Sequence, residues 1–422
     1  MRRAIIAAFV CVGACLPGAR AADITLTSEL SQTAEFNSNY FLATNPPGEI
    51  TSPVSTIRVN GIARTPTDRF QAIADLSYQT YFGPGVDNFI VTPALNKGAR
   101  VALDHTEKLT FYNFAAAWRQ TQAAPLQLAQ TGIATIGGFV TTAVIQAGLR
   151  HQLDLNNTLS WQNSFTSTTF TTSGSVPFTD LSTTGDWTHQ LNSTTTLIPS
   201  VQYEQLNYGG SSKTEIILWR YMLGVSFRPS TRFSLYAAAG ALVASASQSG
   251  GVAQPNLVPT ILVPSGPDNL SSDAPFQPAI FLPGAATTPS SSASAADWLA
   301  NVRATYLVDS TTQFTVVAAQ SVSPDSFGNI FKTDSVGVAL SRQVNYSESL
   351  YFAADASRLT SIGTVSEFYT ASATYDYHPI RDWNATVTYT FRQRSASGFA
   401  AAGSANSHGI LVAVRRNVTI IP

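Results

Sequence analysis

Residues 214–228 read Thr-Glu-Ile-Ile-Leu-Trp-Arg-Tyr-Met-Leu-Gly-Val-Ser-Phe-Arg. Taken two at a time they separate into unlike rows. Ile217, Trp219, Tyr221, Leu223, Val225 and Phe227 form one, and Arg220, Met222, Gly224, Ser226 and Arg228 the other. A period of two sends alternate side chains to opposite faces of a strand. An arginine turned toward hydrocarbon costs about 2–4 kcal/mol at the middle of a membrane, so the arginine row faces water and the aromatic row faces lipid. Residues 385–392 repeat the pattern: Ala385, Val387, Tyr389 and Phe391 oppose Thr386, Thr388, Thr390 and Arg392.

Working outward, polar turn phrases lead into such alternations again and again. Examples are His151–Thr158, His189–Thr195, Arg228–Arg232, Val308–Thr312 and Tyr377–Trp383. Eighteen candidate strands lie between residues 24 and 418, with short turns near 66, 106, 155, 192, 230, 310, 345 and 380. Long strands joined by tight turns on one side and longer loops on the other describe an all-β, up-and-down, antiparallel transmembrane barrel. Sixteen strands is the alternative, because the first and fourth are weakly patterned. Ten aromatics gather near strand ends: Tyr78, Tyr112, Trp118, Trp161, Trp187, Tyr203, Trp298, Tyr306, Tyr377 and Trp383. A ring with a polar tip suits the headgroup boundary.

Composition agrees. Only 12% of the chain is charged, against about a quarter in soluble domains, and no stretch after the N-terminus has the length of a spanning helix. The first 21 residues read as a signal peptide: Arg2 and Arg3, the apolar run Ala4–Ala14, a break at Leu16–Gly18, and the cleavage site Ala19-Arg20-Ala21. Val12–Cys15 also resembles a lipoprotein cleavage box. Both cysteines, Cys11 and Cys15, fall in this leader, so residues 22–422, the barrel, hold no thiol for disulfides, metals or nucleophilic chemistry. A Pro/Ser-rich stretch at about 247–294, expected on the extracellular side, carries apolar islands at Leu257–Val263 and Ala279–Pro283; it reads as disordered, or as a loop packed into the lumen or over the mouth. The segment 120–137 is a smaller candidate for an inward loop. Many bacterial barrels end in an aromatic residue read by assembly machinery. This chain ends Val418-Thr-Ile-Ile-Pro422, its last clear strand being Ile410–Arg415. Either that signal is degenerate here or the tail lies beyond the barrel.

No catalytic motif is present: no HExxH, GxSxG, GxxxxGK or GxGxxG. Carboxylates lie near histidines in sequence at Asp104/His105, His151/Asp154 and Asp186/His189. These histidines and His378 sit beside the short turns, where an interfacial role is expected; His408 lies toward the outer rim. An enzyme, a cofactor and a bound metal are therefore not expected, and a formal charge of −1 argues against nucleic acid.

Alternation places Arg100, Arg119, Arg150, Arg220, Arg303 and Arg392 inward, with Glu204, Asp75, Asp355 and Asp376. Rows of guanidinium and carboxylate set a transverse field across a pore; equally, they satisfy one another inside a plugged barrel. The length, the layout, the turn phrases and Glu35-Phe-Asn-Ser-Asn-Tyr-Phe41 resemble the outer-membrane β-barrel porins of proteobacteria, some linked to exopolysaccharide gene clusters. Phe36 and Asn39 match that family's first-strand phrase, and its acidic positions are not matched. The resemblance implies a transport role in the outer membrane of a Gram-negative cell. Passive diffusion of small hydrophilic solutes or sugars is the first expectation, with Arg220, Arg392 and Glu204 tuning selectivity. Export of an exopolysaccharide and a closed structural or adhesion barrel are the alternatives. Expected partners are outer-membrane lipid and lipopolysaccharide, the barrel-assembly machinery and the solute or polysaccharide; an oligomer is compatible with this.

Overall fold

The computed structural model describes residues 23–421 apart from 41, 45, 47, 85, 87–92, 123–137, 172–176, 210–212, 250–291, 325–329, 362–363 and 398–402. The strands are β1 (Asp23–Asn37), β2 (Ile50–Arg64), β3 (Asp68–Gln79), β4 (Ala94–Glu107), β5 (Thr110–Gln122) and β6 (Phe139–Gln152). Next come β7 (Asn157–Phe170), β8 (Phe178–Gln190), β9 (Thr195–Tyr208), β10 (Lys213–Ser230), β11 (Phe233–Ser249) and β12 (Ser292–Leu307). The last six are β13 (Thr312–Pro324), β14 (Ile330–Asn345), β15 (Glu348–Ser361), β16 (Thr364–Ile380), β17 (Trp383–Ser397) and β18 (Gly403–Ile421). Each pairs antiparallel with its sequence neighbours, and β1 pairs with β18, so the 18-stranded sheet closes on itself. Closure leaves no edge strand and satisfies the backbone internally, as hydrocarbon demands.

The count is eighteen rather than sixteen. The two weak strands exist, and their outward rows explain the weakness. In β1 the row includes Ser28 and Gln32, and Ser55 Oγ of β2 donates to Gln32 Oε1 at 2.8 Å. In β4 it includes Lys97 and His105 near the two ends. The C-terminal tail does not leave the barrel: β18 runs to Ile421, which pairs with Leu26 across the closing seam. The leader, the Val12–Cys15 box, the apolar islands of 257–263 and 279–283, and nearly all of 120–137 lie outside the described residues.

Four of the five repeated turn phrases share one chemistry. An Asp, Asn, Ser or Thr oxygen accepts backbone N–H groups two and three residues on, the Asx- or ST-turn arrangement. Asp154 Oδ1 takes the N–H of Asn156 and Asn157 at 2.7 and 2.9 Å, and Asn192 Oδ1 those of Thr194 and Thr195 at 2.9 Å each. Asp309 accepts from Thr311, Asn345 from Ser347, and Ser230 from Arg232 and Phe233. These bonds hold the exposed Asp154 and Asp309 carboxyls below the usual carboxylate range, Asp154 through the Asn157 amide first and Asp309 through the Thr311 hydroxyl first. All such turns lie on one rim; the strand ends that flank the other connections lie at the opposite rim.

Register divides the wall into two surfaces. The outward rows include Trp219, Tyr221 and Leu223, level with Val243, Ala241 and Ala239 of β11, and these large side chains are 40–52% exposed. All ten strand-end aromatics fall in outward rows. Among the described residues, outward charges are confined to the two ends of the strands. Lys97, Glu215, Lys332, Asp334, Arg358 and Glu367 lie toward one end, and Arg342, Glu348 and Arg416 are among those at the other. The band between is apolar, small or uncharged, which makes this a transmembrane barrel. Gly240 shows how close the wall's own contacts are: a Cβ there would run into the Tyr221 carbonyl oxygen.

Candidate functional site: the lumen

The inward rows carry the charge. Arg100, Arg119, Arg150, Arg220, Arg303 and Arg392 each fall there by register, as do Asp75, Glu204, Asp355 and Asp376. Arg220 and Glu204 are brought into contact: Arg220 Nη1 donates to Glu204 Oε2 across β10 and β9, and both side chains are largely buried. They border an inward apolar patch of Leu206, Ile216, Leu218 and Leu242, with Met222 packed against it.

Two other carboxylates use glycine notches. Asp75 lies over Gly98, where a Cβ would sit 2.5 Å from its Oδ1, and Gly98 is paired with Arg119 on the next strand. Asp355 lies over Gly337 in the same manner, at 2.9 Å. One register line then runs Gly337, Asp355, Thr370, Arg392 and Ser407 across β14 to β18. A missing side chain on one strand thus opens a seat for an acid on its neighbour. Asp376 instead accepts from Thr386 Oγ1 at 2.5 Å. No described ion pair involves Arg150 or Arg303.

Sequence reasoning missed Asp180, Arg58 and Arg394. Asp180 shares an inward row with Phe178, Ser182, Thr184 and Asp186. It lies within electrostatic range of Glu204 and Arg220, and its buried Oδ1 has no hydrogen-bond partner among the described residues. The alternation Asp180-Leu-Ser-Thr-Thr-Gly-Asp186 was the available signal; its outward row, holding Thr183 and Gly185, is too polar to announce a lipid face. Arg58 sits between Glu29 and Asp75 by register, and Arg394 is buried on β17.

At the rim opposite the short turns, the segment after β1 folds back on the wall. Asn39 supplies the lock: its Nδ2 donates to Ala43 O and Asn406 O at 2.9 Å each, and its Oδ1 accepts from Ala43 N at 3.0 Å. Ser407 Oγ donates to Asn37 Oδ1 at 2.6 Å, Ser38 N to His408 O, and His408 N to Ser38 Oγ. Leu42 is buried with φ of 45°, and Tyr40 meets Tyr81 edge-on at 5.8 Å between centroids. Tyr81 donates to Gln122 Oε1 at 3.0 Å. Burial, with the charges of Tyr81 and Glu35 behind it, pushes the Tyr40 phenol well up, so it stays a neutral donor. Asn37, Ser38 and Asn39 of that sequence phrase therefore tie the β1–β2 connection to β18.

The histidines have partners other than their sequence neighbours. His105 Nδ1 is 2.7 Å from Asp68 Oδ1, not bonded to Asp104; His151 Nδ1 is 2.8 Å from Thr110 Oγ1; His189 Nδ1 is 2.8 Å from Asn157 Oδ1. His378 Nε2 meets Asn384, and His408 Nδ1 meets Tyr389 Oη. No cluster of three or more metal-ligating side chains occurs among the described residues.

No protein-family model and no curated protein matches the chain. Solved structures do. A structure titled "Copper transporter OprC" aligns with a TM-score of 0.54 at 8% identity, covering 94% of this chain and 80% of that one. OccK2 (OpdF) of Pseudomonas aeruginosa aligns at 0.47 and 7% identity over 95% and 99% of the two chains. A BenF-like porin from Pseudomonas fluorescens Pf-5 aligns at 0.47 and 10% over 94% and 99%. Of these three the OprC likeness alone exceeds 0.5, and at 8% identity it speaks to the fold only.

Proposed function

We propose that the barrel is an outer-membrane channel for passive diffusion of small hydrophilic solutes. One observation carries this reading: between the two rims, charged side chains occupy inward rows and none occupies an outward row among the described residues. Charge near a membrane's middle is expensive and is retained where it faces a polar pathway. Eighteen strands enclose a width that leaves room for water and solute. The pathway would be lined by Arg100, Arg119, Arg150, Arg220, Arg303 and Arg392 with Glu204, Asp75, Asp355 and Asp376, a mixed lining that sorts solutes by charge and dipole. On this reading the protein holds no catalytic group, and its lipid partners are the phospholipid and lipopolysaccharide of the outer membrane.

Protein purified from membranes and added to a planar bilayer should give stable openings, on the order of a nanosiemens for a wide aqueous barrel. Arg303→Ala with Arg392→Ala should then move the reversal potential in a salt gradient toward cation selectivity. A folded barrel that never conducts would overturn the reading; an unmoved reversal potential would remove these two residues from the lining.

A further inference from the structure

Three imidazoles occupy one level of the wall. His105 of β4, His151 of β6 and His189 of β8 are outward-row residues at the short-turn ends of alternate strands. They lie within the lipid-facing surface rather than beyond it. Along the chain His151 falls between Leu149 and Leu153, and His189 between Trp187 and Leu191; Leu153 and Leu191, each the first residue past its strand, are exposed. His105 follows Leu103 and stacks, tilted, against Tyr112 at 5.9 Å.

Each ring is held through Nδ1, and for two of them the direction is fixed. Asp68 accepts from His105, so His105 carries its hydrogen on Nδ1. Asn157 gives its Nδ2 hydrogens to both oxygens of Asp154, at 2.9 and 2.7 Å. Its Oδ1 is therefore the acceptor, taking Trp187 Nε1–H at 3.0 Å and His189 Nδ1–H at 2.8 Å. In both rings Nε2, on the far side, is the atom that takes up a proton and becomes a new donor. The same level carries Arg342 on β14 and Arg416 on β18, the latter 5.5 Å over the Trp383 ring.

We propose that His105, His151 and His189 form a headgroup site for anionic phospholipid in the leaflet at the short-turn rim, engaged as the imidazoles protonate. The charged and titratable groups facing them are Asp68 from β3, Tyr112 from β5 and Glu107 for His105, and Asp154 behind Asn157 for His189. Neighbouring strands place Thr110 and Leu159 opposite His151, neither titratable. With the rings neutral, the three carboxylates outnumber Lys108 of the β4–β5 turn, and the net negative charge of this arc repels an anionic headgroup. Protonation reverses it and adds N–H donors for a phosphodiester. Histidine is the side chain whose charge changes between about pH 5 and pH 8. The proposal rests on the transmembrane placement and not on conduction.

The test reconstitutes the purified protein in phosphatidylcholine bilayers containing brominated phosphatidylglycerol and follows tryptophan quenching, Trp187 lying 5.3 Å from His189. Preference for phosphatidylglycerol over phosphatidylcholine should rise at least about threefold from about pH 8 to about pH 5.5. The rise should flatten in the triple variant His105→Gln/His151→Gln/His189→Gln. If that variant does not fold, His151→Gln alone, whose described side-chain bond is to Thr110, should lose part of the rise. A preference that ignores pH in the unaltered protein, or a rise that survives these substitutions, overturns the proposal. A protein that stays soluble without inserting would overturn the transmembrane placement and the proposal with it.

Discussion

Arginine in place of Val338 should destabilise the folded barrel by about 2–4 kcal/mol, while arginine in place of Ala339, one residue on, should cost far less. Val338 lies at the middle of β14 in an outward row, level with Val316 and Ala354, and is 38% exposed. A guanidinium there meets hydrocarbon with no partner in reach. Ala339 pairs with Thr315 and Ala353 on the inward rows, where a guanidinium joins a surface already populated by charge. Because the side-chain period is two, one step along the strand changes faces. Urea unfolding in lipid vesicles measures both costs. Equal costs would sink the face assignment, and with it every residue placed in the lumen lining.

That assignment was readable where alternation joins large apolar residues to arginine, as in β10 and β17. It was weak where a row mixes sizes and polarities, as in β1, whose outward Gln32 finds Ser55 only when β2 is laid beside it. The extent of β18 was underread for a related reason. Val418 and Ile421 look like a loose tail in one dimension, and their pairing with Ser28 and Leu26 appears only once the barrel closes.

Pairings near the histidines show what one dimension loses and what it retains. Asp104 and His105, His151 and Asp154, and Asp186 and His189 are separated by one or three positions. For Asp104/His105 and Asp186/His189, which lie on strands, an odd separation places the two side chains on opposite faces, and that much the sequence already contained. Their actual partners, Asp68, Thr110 and Asn157, lie 37, 41 and 32 residues away. The mouth is further out of reach: Asn39 and Asn37 bond across separations of 367 and 370 residues, contacts that exist because first and last strands meet. Which charged residues share a row was legible because it needs only face. The carboxylate seats over Gly98 and Gly337 were not, because they need register.

Arg220→Ala should be the most damaging single substitution in the inward rows, costing about 3–5 kcal/mol, and a second substitution should repair most of the loss. Glu204 is 7% exposed, its carboxylate held by Arg220, with the Asp180 carboxyl close by. Removing the guanidinium leaves a buried anion whose desolvation no longer has a compensating partner. The surroundings determine which replacement restores the wall. Leu206 and Leu218 on the same strands belong to the buried apolar patch, with Leu242 beside them, so an apolar pair of similar volume fits there. Glu204→Leu with Arg220→Met should therefore recover stability near that of the unaltered barrel. The single variants Arg220→Ala and Glu204→Leu, with the corresponding double variant, should show a coupling well above the about 0.5 kcal/mol scatter of independent sites. Denaturant midpoints of the four proteins in one lipid decide it. Strictly additive costs would mean that the two side chains act separately. A double variant as unstable as Arg220→Ala alone would mean that Arg220 stabilises the wall through Asp180, not Glu204.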